Sequence, residues 1–169
     1  GHRQHALEYT KALEDNGRYP LCIWPFHCII GSDGYAITQS VFEAIDEWEK
    51  THYTLAQRVT KGSNWKTEHY SALQADVPDP SDDTTLLNMG LVKSLQDADR
   101  VLLTGQALSH CVANTVRDIA DNFGEENIKK LELILDTTNS VTGFKALGDQ
   151  FVKDLTARGM KTVNAADVF

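Results

Sequence analysis

The stretch VLLTGQALSHCVANTVRDIAD, residues 101–121, decides the fold of this chain. Its apolar start predicts a buried strand over 100–105, which ends at Gly105. The amphipathic stretch that follows predicts a helix over about 109–123, so Cys111 would lie at the start of a helix. A buried strand followed almost at once by a helix is the repeating unit of parallel α/β sheets.

The rest of the chain repeats this alternation of short apolar runs and longer amphipathic stretches. Further strands are predicted over 21–25, 58–61 and 131–135, with an edge strand over 160–163. Further helices are predicted over 5–16, 39–51, 84–96 and 144–158. The pattern therefore predicts a doubly wound, three-layer α/β/α fold with a mostly parallel sheet.

Composition limits the classes of partner. The 169 residues are 41% hydrophobic, which suits one domain with a real core. No apolar run is long enough to span a bilayer, and a formal net charge of -8 would repel a phosphate backbone, so we expect neither a membrane nor a nucleic-acid partner. Cys22, Cys28 and Cys111 are widely spaced and the N-terminal residues are polar, which predicts reduced thiols and a cytoplasmic protein.

Cys111 is the first candidate for chemistry. The first N–H groups of a helix lack intrahelical partners and carry the positive end of its dipole. Both features favour a thiolate, which is the nucleophilic form of cysteine, and the same N–H groups could hold an oxyanion. The alternative is an inert cysteine that packs as a small apolar side chain.

Two further segments carry candidate residues. In VTKGSNWKTEHYSAL, residues 59–73, Lys61 ends a predicted strand, and its side chain could point into the crevice where α/β folds bind ligands. There its ammonium would hold a thiolate charged, although a solvated surface lysine is the commoner case. In IWPFHCIIGSDG, residues 23–34, His27 could be a metal ligand or an acid–base group, or else a structural histidine.

Together the three segments resemble the isochorismatase/nicotinamidase-like family of cysteine hydrolases. WPFHCIIGSDG resembles the family's WPxHCxxGTxG segment, and VTKGSNWKTEHYSAL resembles its KG…YS segment. TGQALSHCVANTVRDI resembles the G-x-A-x-x-x-CV-x-x-T segment around the nucleophile. This last match places the motif residues at Gly105, Ala107, Cys111, Val112 and Thr115. The three matches occur in the family's order over residues 20–120.

The resemblance implies roles for particular residues. Cys111 would be the nucleophile, Lys61 would support the active site, and the backbone amides of Ala107 and Cys111 would form the oxyanion hole. A cis peptide often precedes that alanine in the family, here at Gln106–Ala107. His27 matches a histidine that binds a divalent metal, such as zinc, in nicotinamidases. The residues that would line the substrate pocket are Trp24, Trp65 and Tyr70.

The sequence also departs from the family pattern. The family's triad is Asp, Lys and Cys, and its aspartate ends a first strand whose D-x-Q-x-x-F motif is absent here. The other metal ligands belong to a D-x-H…H segment that is also absent. We therefore expect residues 1–169 to form a single α/β hydrolase domain that is incomplete at its N-terminus, with its first strand missing. Its partner would be an N-terminal segment of the same protein.

The reaction implied by the resemblance is hydrolysis of a C–N bond in a small amide, such as nicotinamide, through a thioester on Cys111. Two alternatives stay open. One is a non-catalytic binding or scaffold module that keeps the fold, which the missing aspartate favours. The other is an isochorismatase-type hydrolase of a vinyl ether. We also expect a homo-oligomer, because apolar helix faces in such folds often pair.

Overall fold

The computed structural model describes residues 2–168, which form an α/β domain. Its helices are α1 (His2–Asp15), α2 (Gln39–His52), α3 (Met89–Asp97), α4 (Ala113–Phe123) and α5 (Lys145–Ala157). Its strands are β1 (Val101–Gln106), β2 (Leu131–Asn139) and β3 (Lys161–Val163). Shorter helical turns lie at Asp33–Tyr35, Asp83–Thr85, Leu108–Val112, Glu125–Lys130 and Ala165–Asp167.

The strands form one parallel sheet in the order β1-β2-β3. Val101 pairs with Leu131 in the first register, and a shift between Leu103 and Gly105 brings Gly105 opposite Thr138. Helix α4 connects β1 to β2, and α5 connects β2 to β3. The predicted α/β class with a parallel sheet is confirmed.

The core lies between the sheet and helices α4 and α5. Strand side chains alternate between the two faces of a sheet. Val101 is buried in this core, whereas its neighbour Leu102 points to the opposite face and is 37% exposed. The fully buried residues that fill the core from both sides are Val116, Phe123, Leu131, Leu133, Phe151 and Leu155.

Two predicted strands are wrong. Residues 21–25 and 58–61 are irregular in structure, and Ile23 is 90% exposed. An apolar run predicts burial, but a strand also needs a neighbour that accepts and donates its ladder of hydrogen bonds. Within residues 2–168 no strand lies beside either segment, so neither forms a ladder.

The predicted helices form, with changes at their ends. The helix predicted over 84–96 begins later, at Met89, because the Asn88 side chain accepts a hydrogen bond from the Leu91 amide and caps it there. Helix α2 matches its prediction, but its apolar face is not covered by the described residues. Val41, Phe42 and Trp48 on that face are about half exposed. None of the described helices is long and apolar enough to cross a membrane.

The core assignment can be tested on one strand. Leu133 is fully buried in β2, whereas Leu135 two residues later is 38% exposed. Leu133→Ala should lower the free energy of unfolding by about 2–5 kcal/mol, because it leaves a cavity as well as losing apolar contacts. Leu135→Ala should cost less than about 1 kcal/mol. Urea denaturation of both variants measures the difference, and equal losses would contradict this core.

Candidate active site

Cys111 lies where the first strand passes into a helix. Strand β1 ends at Gln106, and a short π-helical turn, Leu108–Val112, continues directly into α4. The Val112 amide donates a hydrogen bond to the carbonyl of Ala107, which closes this wider turn. The helical segment therefore begins one residue before its prediction, and Cys111 lies in its first turn, partly exposed.

The approach to this turn has unusual backbone geometry. Gly105 has a φ of +128°, a backbone conformation that residues other than glycine rarely adopt. The peptide bond between Gln106 and Ala107 is cis, as the resemblance predicts. Gly105 and Ala107 of the nucleophile motif thus shape the bend that separates strand from helix.

Lys61 reaches Cys111 from a separate segment. Its Nζ lies 3.6 Å from Sγ of Cys111 and donates a 2.8 Å hydrogen bond to the carbonyl oxygen of His69. Much of the Lys61 side chain is exposed, but its ammonium group contacts both the His69 carbonyl and the Cys111 sulfur. The structure brings together the two residues that the sequence singled out as nucleophile and supporting cation.

The segment after Lys61 is attached to α4 by a side-chain contact. The hydroxyl of Thr115 accepts a 3.0 Å hydrogen bond from the amide of Ala72. Thr115 is the threonine of the nucleophile motif, one helical turn after Cys111. It joins two parts of the chain that are far apart in sequence.

A cavity of about 210 Å³ opens at this point. It lies at the carboxyl end of β1, which is where open α/β sheets bind ligands. Its lining combines the reactive groups with strand and helix residues: Lys61, Leu103, Gly105, Gln106, Cys111 and Thr115. Cys111 is therefore not sealed in apolar packing.

Aromatic rings surround His110, the residue before Cys111. The rings of Tyr19, Trp24, Tyr70 and Phe144 have centroids 4.9–5.5 Å from that of His110. Trp24 also donates a 2.7 Å hydrogen bond from Nε1 to the hydroxyl of Tyr70. Two of the predicted pocket residues, Trp24 and Tyr70, thus lie in one cluster around the residue before Cys111, but neither lines the cavity at Cys111.

His110 itself was not predicted. It is 4% exposed, and burial lowers the pKa of its imidazole, so the ring is neutral at pH 7. Its Nδ1 lies 2.9 Å from the hydroxyl of Ser109. Its position directly before the candidate nucleophile was the only signal in the sequence, because the aromatic neighbours are 34 to 91 residues away along the chain.

Trp65, the third predicted pocket residue, lies elsewhere. It lines a different cleft of about 550 Å³ between α1 and residues 65–80. Its ring makes an edge contact with His2, at 5.1 Å between centroids, and lies 6.2 Å from His5. The structure does not bring Trp65 to the cavity at Cys111.

Solved structures with a similar fold are nicotinamidases. The nicotinamidase/pyrazinamidase of Acinetobacter baumanii superposes on 90% of this chain with a TM-score of 0.61 and 19% identity. The yeast nicotinamidase superposes on 83% of it with a TM-score of 0.59 and 20% identity. The Pyrococcus horikoshii pyrazinamidase, in complex with zinc, covers 93% with a TM-score of 0.53 and 18% identity.

The chain has the nicotinamidase fold. It spans 64% of the length of the Acinetobacter structure, 58% of the yeast structure and 69% of the Pyrococcus structure. No protein-family model matches the sequence, and no curated protein matches it either. The likeness is therefore one of structure at low sequence identity.

The predicted metal ligand, His27, is not part of a group of three candidate ligands among the described residues. His27 is exposed, and its Nδ1 donates a 2.7 Å hydrogen bond to the carbonyl of Pro25, which leaves Nε2 as the nitrogen that could bind a metal. Zinc in proteins generally needs three or four protein ligands. In the described part of the chain no three histidine, cysteine or acidic side chains converge, so these residues do not fit a metal centre by themselves.

A half-buried carboxyl group, that of Asp76, contacts the segment that carries Tyr70. Asp76 accepts a 3.1 Å hydrogen bond from the amide of Tyr70, and burial raises the pKa of its carboxyl group to about 6. A raised pKa means that the folded protein keeps a proton that the unfolded chain has already lost. The contribution of Asp76 to stability is therefore present at low pH and is lost as pH rises through about 4 to 6.

Asp76→Asn tests this assignment, because the amide oxygen can still accept from Tyr70 but no longer titrates. At pH 7 the free energy of unfolding of the variant should be about 1–2 kcal/mol higher than that of the parent. At pH 4 the two free energies of unfolding should be equal. Urea denaturation at several pH values measures the difference. Asp33→Asn, at an exposed position, is the control, and a pH-independent difference for Asp76→Asn would contradict the assignment.

Proposed function

We propose that this chain carries the nucleophile of a cysteine hydrolase that cleaves the C–N bond of a small amide. The observation that carries the proposal is the 3.6 Å contact between Nζ of Lys61 and Sγ of Cys111 at the mouth of a cavity. An ammonium group at this distance stabilises negative charge on the sulfur when the cysteine acts as a nucleophile. The nicotinamidase fold supports the same reaction class, since the similar structures bear that name.

In the first half of the proposed reaction, the sulfur of Cys111 forms a bond to the amide carbon and the π electrons of the carbonyl move to oxygen. The backbone amides of Ala107 and Cys111 donate hydrogen bonds to this oxyanion. When the carbonyl re-forms, the C–N bond breaks, the nitrogen takes up the proton that the thiol gave to the base, and ammonia leaves. The product of this half is a thioester on Cys111.

In the second half, water adds to the thioester, the S–C bond breaks, and the carboxylic acid is released with the sulfur restored. A base must take a proton from that water. We assign this role, and the initial removal of the thiol proton, to an aspartate on a segment outside this sequence, as in the family pattern. The native protein would then be active only with that segment in place.

The aromatic cluster around His110 supports a planar substrate. Flat rings with a few polar edges bind planar, partly polar rings by stacking and edge contacts. Trp24, Tyr70 and Phe144 supply such surfaces around His110, the residue before Cys111. Nicotinamide, a pyridine with one carboxamide, is the leading substrate, and Trp65 has no part in binding it.

A divalent metal, such as zinc, would need ligands besides His27 from a segment outside this sequence. The proposed steps use only the chain's own groups and none passes through a metal. The Pyrococcus pyrazinamidase with a similar fold holds zinc, which supports His27 as one ligand of a completed centre. We keep the cytoplasmic location as part of the proposal, because Cys22, Cys28 and Cys111 are all free thiols.

A non-catalytic binding module is the second candidate. The apolar face of α2, with Val41, Phe42 and Trp48 half exposed, favours it, because large uncovered apolar faces mark interaction sites. The same face favours the expected homo-oligomer. Nothing in the described residues speaks for the vinyl-ether reaction over the amide reaction.

The substrate class is tested by ammonia release from nicotinamide. The native protein should release ammonia, and Cys111→Ala should reduce the rate to background because no thioester can form. Cys22→Ala is the matched control, since it removes a cysteine that does not line the cavity, and it should keep parental activity. If Cys111→Ala turned over nicotinamide at the parental rate, Cys111 would not be the nucleophile. If the native protein released no ammonia, the binding module would remain.

The role of Lys61 is tested separately. Lys61→Ala should lower kcat/KM by about 100-fold or more, because it removes the charge that holds the thiolate. Lys66→Ala, which removes an exposed ion pair with Asp79, should change kcat/KM by no more than about twofold. Circular dichroism checks folding in both variants. Equal effects of the two substitutions would contradict a specific role for Lys61.

A further inference from the structure

His69 lies behind the ammonium group of Lys61 and contacts that residue and the next one. Its backbone carbonyl accepts the 2.8 Å hydrogen bond from Nζ of Lys61. Its ring Nδ1 accepts a 3.3 Å hydrogen bond from the backbone amide of Gly62. One residue thus holds both the side chain of Lys61 and the backbone that follows it.

The ring contact requires a neutral imidazole. A nitrogen that accepts a hydrogen bond carries no proton, so the proton of His69 must be on Nε2, whereas a protonated ring would donate from both nitrogens. The ring is buried, at 8% exposure, and in the described structure Nε2 has no hydrogen-bond partner. Protonation would break the contact to Gly62 and add a second positive charge beside Lys61.

The charged groups around His69 act in opposite directions. Burial is the largest cause that lowers the pKa of its imidazole, and the Lys61 ammonium lowers it further. Asp118 raises it, but the carboxylate of Asp118 lies 2.7 Å from the guanidinium of Arg18. The net direction is downward, so the neutral ring predominates at pH 7.

Lys61 needs such a support. A lysine side chain has four rotatable bonds, and an exposed one spreads over many rotamers unless its ammonium is fixed by partners. Gly62 has a φ of +79°, so the backbone turns sharply just after Lys61. The hydrogen bond from the Gly62 amide to the His69 ring holds this turn.

We propose that His69 is a positioning residue, whose neutral ring and carbonyl together fix the ammonium of Lys61 against the sulfur of Cys111. The inference rests on the proposed function in taking Cys111 as the nucleophile. It adds a residue that touches neither the substrate nor the sulfur. It also implies that acid weakens the nucleophile through His69 before folding is lost.

Two amide variants separate the ring contact from bulk packing. In His69→Asn the side-chain oxygen can occupy the place of Nδ1 and accept from Gly62, whereas in His69→Gln the amide reaches the place of Nε2. Neither side chain titrates. The readout is the rate of alkylation by iodoacetamide, measured at each cysteine by mass spectrometry of peptides, with Cys22 and Cys28 as internal references.

At pH 7, Cys111 in His69→Asn should be alkylated at the parental rate, within about twofold, and in His69→Gln about tenfold more slowly, because the ammonium of Lys61 is no longer held against the sulfur. The rates at Cys22 and Cys28 should not change. The parent should lose Cys111 reactivity more steeply than His69→Asn as the pH falls below neutral. Equal Cys111 rates in the two variants, with folding confirmed by circular dichroism, would overturn the inference.

Failure of this inference differs from failure of the proposed function. If the Asn and Gln variants alkylate alike while the parent hydrolyses nicotinamide, His69 is not a positioning residue and the hydrolase proposal stands. If they differ as expected while no amide is hydrolysed, His69 positions Lys61 in a protein whose substrate is of another class.

Discussion

The bend between β1 and α4 is the constraint on which the site depends. Pairing of β1 with β2 and packing of α4 over the sheet fix the two sides of the bend, and Gly105 supplies the backbone conformation that the turn requires. The sulfur of Cys111 therefore has a defined place at the carboxyl end of the sheet. The other reactive groups have to reach that place from elsewhere in the chain.

Side-chain hydrogen bonds, and not sheet pairing, hold these other segments close to Cys111. Thr115 holds the segment after Lys61 by its contact with Ala72, and the hydroxyl of Tyr19 donates to the carbonyl of Ser109, beside the nucleophile. These contacts join residues 43 and 90 positions apart. Partly buried hydrogen bonds are costly to lose, because the group left behind has no water to replace its partner. The segment that carries Lys61 is therefore tied to α4 by the Thr115 contact, and the segment that carries Tyr19 is tied to the π-helical turn by its bond to Ser109.

The sequence predicted the parts of the site whose roles depend on local context. Cys111 at a strand–helix junction and Lys61 before a glycine follow from pattern and resemblance, and the structure brings them together. Residues 21–25 and 58–61 were predicted as strands because an apolar run does not say which strand will pair with it. His69 gave no signal and His110 gave only its position before Cys111, because the role of a histidine is set by neighbours that only the tertiary fold supplies.

In the proposed reaction, the two halves depend on different groups. The attack by Cys111 uses the Lys61 ammonium, 3.6 Å from the sulfur, to stabilise negative charge on the nucleophile once the thiol proton has been removed. Release of the acid, however, needs a base that activates water, and the motifs matched in this sequence do not contain one. In the proposal, the described site therefore supplies the nucleophile, its neighbouring cation and the oxyanion donors, whereas both proton transfers are assigned to the family's aspartate. Reactivity of the sulfur and turnover of an amide are, for this reason, separate properties of the protein.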